Sequence, residues 1–82
     1  MKVKVLKFGG TSVGTIEAIK RSASIISNWS KKNKVIVVLS AMAGETDRLI
    51  NLSKSFSKTP SPIDYDNAIS TGENVSCALM SI

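Results

Sequence analysis

A lysine directly before paired glycines is the feature of this sequence best suited to chemistry. Lys7 precedes Phe8, Gly9 and Gly10 in the segment KFGGTSVG, residues 7–14. The residues before it alternate as in a β-strand and those after it repeat as in a helix. The turn between them would therefore present free backbone N–H groups and the positive end of a helix dipole. Because such a turn binds phosphate well and a lysine adds positive charge, the segment predicts a phosphate-binding turn.

The glycine spacing matches neither of the two common nucleotide-binding motifs. Gly9 and Gly14 have the separation of a Walker A loop, but Thr15 stands where that motif requires lysine, and no G-x-G-x-x-G pattern can be drawn. Many α/β proteins also use glycine at such a turn only to change the direction of the chain. Lys7 favours ligand binding, because it ends a strand at the edge where open α/β sheets bind ligands. A long lysine side chain can also simply reach past its neighbours to water.

The composition excludes several kinds of catalytic site. The 82 residues contain no histidine, which excludes Ser-His triads, Cys-His dyads and histidine-based zinc sites. The single cysteine, Cys77, excludes an internal disulfide framework. With 43% hydrophobic and 21% charged residues, the sequence has the composition of one small globular domain.

The charge favours a small partner over a large one. The net charge is +5, but the basic residues are scattered and only 5% of the residues are aromatic, so nucleic-acid binding is not predicted. An ordinary solvated surface or a small anionic ligand explains the charge instead. The longest apolar run, residues 35–39, is too short to cross a membrane, and the first residues alternate lysine with valine, unlike the apolar stretch of a signal peptide. We therefore expect a cytoplasmic protein with neither a membrane nor a nucleic-acid partner.

Hydrophobic periodicity predicts the elements that position the turn. Residues 2–8 predict a strand, residues 13–32 a helix with one apolar side, and residues 34–40 a second strand. The second strand is an unbroken apolar run, which is typical of a strand buried on both faces of a parallel sheet. The order strand, helix, strand predicts a right-handed parallel crossover. The side of the helix predicted to face the core carries Ile16, Ile19, Ser22, Ala23, Ile26 and Trp29.

The middle of the sequence predicts a second helix and a connector. A loop of small residues, 40–47, leads to a helix for which Thr46 is a good N-cap. The side chains of this helix predicted to point inward are Leu49, Ile50, Ser53 and Phe56. Residues 57–66 then predict a connector, because Pro60 and Pro62 disfavour helix.

The end of the sequence predicts a third helix. The helical pattern resumes at Asn67 and is weakened by Gly72. Its apolar positions are Val75, Ala78, Leu79 and Ile82. Because the pattern is still repeating at the last residue, without a glycine cap or a proline, we expect an interrupted helix.

Three segments of the sequence resemble the N-terminal motifs of aspartate kinases, which belong to the amino-acid kinase family. They are KFGGTSVG at residues 7–14, VVLSAMAGETD at 37–47 and STGENVS at 70–76, in the same order and with similar spacing. Acetylglutamate, glutamate, carbamate and uridylate kinases share the lysine-glycine opening but usually not this combination. The resemblance covers nearly all of the sequence and only the first part of a typical aspartate kinase.

The resemblance implies an α/β fold that is incomplete in this chain. Residues 1–82 would form the start of an open, mostly parallel, three-layer αβα sandwich, the N-terminal part of an amino-acid kinase catalytic domain. The nucleotide-binding half and the paired regulatory ACT domains of the family would lie outside these residues. In the full-length context we expect a homo-oligomer or association with a complementary fragment.

The resemblance also implies an activity. Aspartate kinases transfer the γ-phosphoryl group of ATP to the side-chain carboxylate of L-aspartate, which gives 4-phospho-L-aspartate and ADP at the start of lysine, threonine and methionine biosynthesis. ATP would bind as its Mg²⁺ complex, with no dedicated metal site in the protein. A carboxylate with a pKa of about 4 in water is already ionised at neutral pH, so no general base is needed. The lack of histidine is therefore compatible with this chemistry.

By motif, Lys7, Phe8, Gly9 and Gly10 resemble the ATP-phosphate segment of the family. Lys7 would be the catalytic residue, because it corresponds to the lysine that contacts the nucleotide phosphates. The two residues after this segment, Thr11 and Ser12, would then start the helix.

Three polar residues resemble the aspartate-binding groups of the family. Ser40 and Thr46 correspond to its hydroxyl residues, and Glu73 corresponds to the acid of the TGE segment that helps to hold the amino acid. Each also has a purely structural interpretation. Ser40 could end a strand, Thr46 could cap a helix, and Glu73 could be a favourable charge in the first turn of a helix.

Two alternatives to an aspartate kinase remain open at this point. One is another member of the amino-acid kinase family, with a different acceptor. The other is a non-catalytic anion-binding or interaction module from a split or decayed gene, because no second nucleotide-binding half is present in the 82 residues. In either enzyme interpretation we expect these residues alone to be inactive.

Overall fold

The computed structural model describes all 82 residues and contains two strands and three helices. In chain order they are β1 (Lys2–Phe8), α1 (Ile16–Ser30), β2 (Asn33–Leu39), α2 (Glu45–Phe56) and α3 (Pro62–Ser81). The strands form one parallel sheet, with α1 as the connection between them. The predicted α/β class and the strand, helix, strand order are therefore confirmed.

The carboxyl ends of the two strands lie side by side at the same edge of the sheet. Phe8, the last residue of β1, lies opposite Leu39, the last residue of β2. The next backbone N–H, that of Ser40, donates to the Phe8 carbonyl at 3.1 Å. The turn after β1 and the loop after β2 are therefore neighbours, as the rule for parallel strands requires.

The two faces of the sheet have different surroundings. One face packs against α1 and α3, where Phe8, Val13 and Ile19 form the buried core. The opposite face carries four apolar side chains that are between 45 and 64% exposed. These are Val3, Val5, Ile36 and Val38. The prediction that the second strand is buried on both faces is wrong for this chain, because both helices that contact the sheet lie on the same side.

Helix α1 begins later than the motif suggested. Thr15 is its N-cap, and the Thr15 hydroxyl accepts from the Ala18 N–H at 3.1 Å. Thr11 and Ser12 lie in the preceding turn, so the expectation that they start the helix is wrong. The turn between strand and helix is therefore longer, since residues 9–14 all lie outside both elements.

The buried side of α1 agrees with the prediction only near its middle. Ile19 and Ser22 are buried, and Ala23 and Ile26 are partly buried, as expected. Ile16 and Trp29 remain 48 and 42% exposed. Trp29 nevertheless contacts β1, because the Lys4 Nζ lies over its ring at 5.7 Å from the centroid.

Helix α2 is capped by glycine and not by threonine. Gly44 is the N-cap with φ of 76°, a conformation that favours glycine, and no side chain caps the helix. Thr46 is already inside the first turn, so the prediction that it caps the helix is wrong. Phe56, predicted to point inward, is 91% exposed because it is the last residue of the helix.

Helix α3 begins where the sequence predicted a connector. Ser61 is the N-cap, and its hydroxyl accepts from the Asp64 N–H at 3.3 Å and donates to the Asp64 carboxylate at 2.9 Å. Pro62 occupies the first turn, where the missing N–H has no cost and the fixed φ suits the helix. The predicted start at Asn67 is therefore wrong, and only residues 57–61 connect the helices.

Helix α3 packs through small residues. Gly72 and Ser76, one turn apart, are buried, whereas Val75 is 47% exposed and Ile82 is fully exposed. Of the predicted apolar side only Leu79 packs against the core, so the prediction is correct there and wrong for Val75, Ala78 and Ile82. Gly72 does not interrupt the helix. None of the helices combines the length and the apolar composition that a membrane span requires.

Candidate functional site

The glycine turn, residues 9–14, has a fixed shape. The Ser12 N–H donates to the Gly9 carbonyl at 3.0 Å, and the Ser22 hydroxyl of α1 donates to the Ser12 carbonyl at 2.7 Å. The Val13 side chain is completely buried in the core. The turn is therefore held by hydrogen bonds on one side and by apolar packing on the other.

The glycine turn is joined to the small-residue loop, residues 40–44, that follows β2. The Ala43 N–H donates to the Gly14 carbonyl at 3.3 Å. A Cβ atom placed on Gly14 would lie 2.8 Å from the Gly10 carbonyl oxygen and 3.4 Å from the Ala43 Cβ. The close approach of position 14 to the Gly10 carbonyl within the turn therefore requires glycine there.

Gly9 and Gly10 have a different environment. A Cβ atom placed on either would meet nothing within 4 Å, and neither residue has a positive φ. The fold therefore does not need glycine at these two positions. The missing side chains leave open space beside the backbone, which is what close approach of a phosphate to main-chain N–H groups requires.

Lys7 and Phe8 point to opposite sides of β1. The Phe8 side chain is buried in the core against Val13 and Ile19, so only its backbone is available to a ligand. Lys7 is exposed, pairs with Val38 across the sheet and lies at the carboxyl end of the strand. Of the four predicted phosphate residues, Lys7 alone offers a side chain to solvent.

An open cleft of about 320 Å³ lies beside these segments at the carboxyl ends of the strands. It is lined by Gly10 from the glycine turn, by Ser40 and Thr46 around the start of α2, and by Glu73 from α3. Lys7 does not line it. Residues from all three sequence motifs thus meet at one cleft, although they are far apart in the sequence.

Two of the structural interpretations for these polar residues are wrong. Thr46 does not cap α2, because Gly44 holds that position. Glu73 is not in the first turn of a helix, because α3 begins at Pro62. Ser40 does follow β2 directly, and its N–H closes the ladder to Phe8. For Thr46 and Glu73 the fold supplies no capping role, and both face the cleft.

The sequence analysis missed Asp47, which also lines the cleft. Its signal was its position directly after Thr46, at the edge of the sheet where ligands bind. Neither Asp47 nor Glu73 belongs to an ion pair, because the only ion pair of the chain joins Glu45 to Arg48. The cleft therefore has two unpaired carboxylates on its walls, which suits a ligand with a positively charged group.

Glu45 has a separate role in the first turn of α2. Its carboxylate accepts from the Arg48 guanidinium at 2.7 and 2.9 Å. These hydrogen bonds, together with the charge of Arg48, lower the pKa of the Glu45 carboxyl. Glu45 does not line the cleft, so its charge is neutralised locally and does not contribute to the acidic walls.

The size of a depression does not identify the site in this chain. A larger open cleft of about 430 Å³ lies along the last turns of α1, beside Ile25 and Trp29. It contains none of the residues of the three motifs. No group of three or more His, Cys, Asp or Glu side chains is placed to hold a metal ion. The cleft at the carboxyl ends of the strands is distinguished because residues of all three motifs line it.

A comparison with protein families identifies the family of this chain. The sequence profile described as "Amino acid kinase family" matches residues 2–82. The chain belongs to the amino acid kinase family. The match includes β1, the glycine turn, the small-residue loop and α3, and therefore every residue that lines the cleft.

Within this family, the chain is similar to aspartokinases along its whole length. It is 49% identical over 83 residues to the aspartokinase of Geobacillus stearothermophilus, covering 100% of this chain and 20% of that protein. Aspartokinase 2 of Bacillus subtilis is 43% identical over 83 residues, again covering 100% of the chain and 20% of the relative. The resemblance found in the sequence is thus confirmed, and the chain spans about a fifth of the length of these relatives.

The fold of this amino acid kinase chain also matches a solved structure. The crystal structure of aspartate kinase from Synechocystis superposes with a TM-score of 0.90 at 44% identity. The match covers 99% of this chain and 14% of the solved chain. The two strands and three helices therefore match one part of the larger Synechocystis fold.

Proposed function

We propose that this chain supplies the phosphate-binding and aspartate-binding segments of an aspartate kinase. The enzyme transfers the γ-phosphoryl group of ATP to the side-chain carboxylate of L-aspartate and releases 4-phospho-L-aspartate and ADP, the first step towards lysine, threonine and methionine. One observation carries the proposal. Gly10, Ser40, Thr46 and Glu73, which come from the three motifs, line the same cleft at the carboxyl ends of the strands.

The glycine turn is the proposed site for the phosphates of Mg-ATP. Gly9 and Gly10 leave open space beside the backbone, so phosphate oxygens can approach their N–H groups closely. Phe8 contributes only backbone atoms, because its side chain is in the core. Lys7 is assigned to neutralise the charge that spreads over the phosphoryl oxygens during transfer.

The cleft is the proposed site for the amino acid. Ser40 and Thr46 offer hydroxyl donors that suit a carboxylate of aspartate. Glu73, with Asp47 on a second wall, offers negative charge to the α-ammonium group. The cleft thus offers both hydroxyl donors and carboxylates to a substrate that carries two carboxylates and one positive charge.

The proposed reaction needs alignment and charge neutralisation more than proton transfer. The attacking carboxylate of aspartate has a pKa of about 4 in water and is ionised at neutral pH, so it attacks without a base. Backbone N–H groups and a lysine, with the magnesium of the substrate complex, provide the positive charge that phosphoryl transfer requires. A chain without histidine can therefore carry its share of this site.

The remaining assignments are part of the same proposal. Residues 1–82 form the N-terminal part of a catalytic domain, and the groups that bind adenine and ribose, as well as any ACT domains, belong to other residues of the enzyme. Homo-oligomerisation and a cytoplasmic location stay predictions.

A chimera tests the proposal. Residues 1–82 replace the segment that they match in the Geobacillus stearothermophilus aspartokinase, to which they are 49% identical. We expect this chimera to phosphorylate aspartate with ATP, and to leave glutamate and acetylglutamate unmodified. The unaltered Geobacillus enzyme is the control for folding and assay. Activity with glutamate or acetylglutamate alone would favour another amino-acid kinase, and a folded but inactive chimera would favour a non-catalytic module.

A further inference from the structure

Helix α3 approaches the small-residue loop unusually closely at Gly72. A Cβ atom placed on Gly72 would lie 3.2 Å from the Ala41 Cβ and 3.1 Å from the Leu49 Cδ1. It would lie 3.7 Å from the Glu45 Cβ. Ala41 is itself buried. The backbone of α3 at Gly72 therefore packs directly against the side chains of Ala41, Leu49 and Glu45, with no side chain of its own at this position.

Glycine at this position is not explained by the helix itself. Gly72 does not have a positive φ, and alanine is more favourable than glycine inside a helix. Ser76, one turn later, is completely buried, so the close approach continues along the same side of α3. The contact between the elements, and not the backbone conformation, requires the missing side chain.

Ala41, Glu45 and Gly72 of this contact are each a sequence neighbour of a residue that lines the cleft. Ala41 directly follows Ser40, and Glu45 directly precedes Thr46. Gly72 directly precedes Glu73, which is exposed and lines the cleft. The distance between α3 and the loop therefore fixes how far the Glu73 carboxylate lies from the two hydroxyl groups on the opposite wall.

We propose that Gly72 is a positioning residue, which sets the width of the amino-acid cleft by allowing α3 to contact Ala41. The proposal rests on the proposed function, since it takes this cleft as the aspartate site. A methyl group at position 72 moves the carboxylate of Glu73 away from Ser40 and Thr46. The Leu49 Cδ1 ends a flexible side chain and can move aside, whereas the Ala41 Cβ is bonded directly to the backbone of the loop, so the helix or the loop has to give by a few tenths of an ångström.

The test is the Gly72→Ala variant of the chimera. We expect the KM for aspartate to rise about tenfold, with kcat and the KM for ATP within about twofold of the parent, because a displaced binding group weakens ground state and transition state together. Asn74→Ala is the matched control. It also introduces alanine into α3, but at an exposed position that does not line the cleft. We expect no change in the KM for aspartate with this control.

A second variant separates spacing from general damage. Gly72→Ala combined with Ala41→Gly removes the methyl group that the new one meets, and the KM for aspartate should return to within about threefold of the parent. A KM that stays high in this double variant would overturn the proposal. A lower kcat and a lower unfolding temperature, with an unchanged KM for aspartate, would also overturn it. If neither variant folds, the contact is needed for stability alone and the proposal fails.

The same experiment distinguishes this inference from the proposed function. If the parent chimera does not phosphorylate aspartate, the proposed function fails. If the parent is active and Gly72→Ala leaves the KM for aspartate unchanged, only the role of Gly72 fails.

Discussion

The first two residues of the glycine turn and the contact of α3 with the small-residue loop use glycine for opposite reasons. At Gly9 and Gly10 an added Cβ would meet no atom within 4 Å. At Gly72 it would meet Leu49 and Ala41 at 3.1 and 3.2 Å. At Gly9 and Gly10 the missing side chain leaves space open towards solvent. At Gly72 it allows α3 to approach the neighbouring segments closely.

This difference teaches which substitutions report on ligands and which report on packing. A methyl group in the open region changes what can approach the backbone but leaves the fold unchanged. A methyl group in the packed region has to move a neighbour, since protein interiors contain little free volume. The predictions below test this distinction.

The largest effect is expected when the 82 residues are isolated. We expect no kinase activity and no stable monomer, because the exposed sheet face with Val3, Val5, Ile36 and Val38 leaves the sheet open to other chains. Sedimentation, thermal unfolding and titration with Mg-ATP are the measurements. A cooperative monomeric transition with micromolar ATP binding would show that the open region works by itself.

Lys7 is expected to give the next largest effect. Lys7→Ala in the chimera should lower kcat by about a hundredfold or more, the scale of losing one preorganised charge-stabilising donor. Its unfolding temperature should not change, because the side chain is exposed. Lys34→Ala is the control, since Lys34 pairs with Val3 at the opposite end of the same sheet face. Near-normal turnover of a folded Lys7→Ala enzyme would contradict the assignment.

The two ends of the glycine turn should respond differently to alanine. Gly14→Ala forces a Cβ to within 2.8 Å of the Gly10 carbonyl oxygen, and this overpacking should destabilise the chimera by about 1–3 kcal/mol. Gly10→Ala should leave stability unchanged and raise the KM for ATP. Thermal unfolding and steady-state kinetics of the two variants provide the comparison. Equal destabilisation by both would remove the distinction between open and packed glycines.

The smallest effect concerns the exposed pair of Glu45 and Arg48. Because the pKa of Glu45 is lowered in the folded state, the pair stabilises the fold above the ordinary value of 4.5, and this contribution is lost as the pH falls through the lowered pKa. Arg48→Ala should therefore lower the unfolding temperature slightly at neutral pH and not in acid. Arg21→Ala, which removes an arginine without an ion pair, is the control. A difference that persists unchanged in acid would contradict this origin.

The sequence predicted the strands better than the ends of the helices. Both strands are correct within one residue, because unbroken or alternating apolar runs are strong local signals. The start of α3 was wrong because Pro62 was interpreted as a helix breaker, whereas proline is favoured in the first turn. Thr46 was interpreted as a cap because hydroxyl residues are the usual caps, yet Gly44 has that role.

The sequence predicted only part of the candidate site. The resemblance named Ser40, Thr46 and Glu73, and these residues do line one cleft with Gly10. Asp47 was missed although it directly follows Thr46, whereas the contact at Gly72 depends on how α3 packs against α2 and the small-residue loop. That packing is a tertiary property, which no local pattern in a single sequence contains.

The parallel register has a consequence for folding kinetics. Lys2 pairs with Asn33 and Phe8 with Leu39, so every contact between the strands spans the whole of α1. Such contacts form slowly, because the entropy of closing a long loop is lost before any contact is gained. The glycine turn reaches its final shape only when Ala43 can donate to Gly14. During synthesis β1 therefore cannot pair until β2 has been made. The proposed phosphate-binding turn is expected to become ordered after the local turns of the helices.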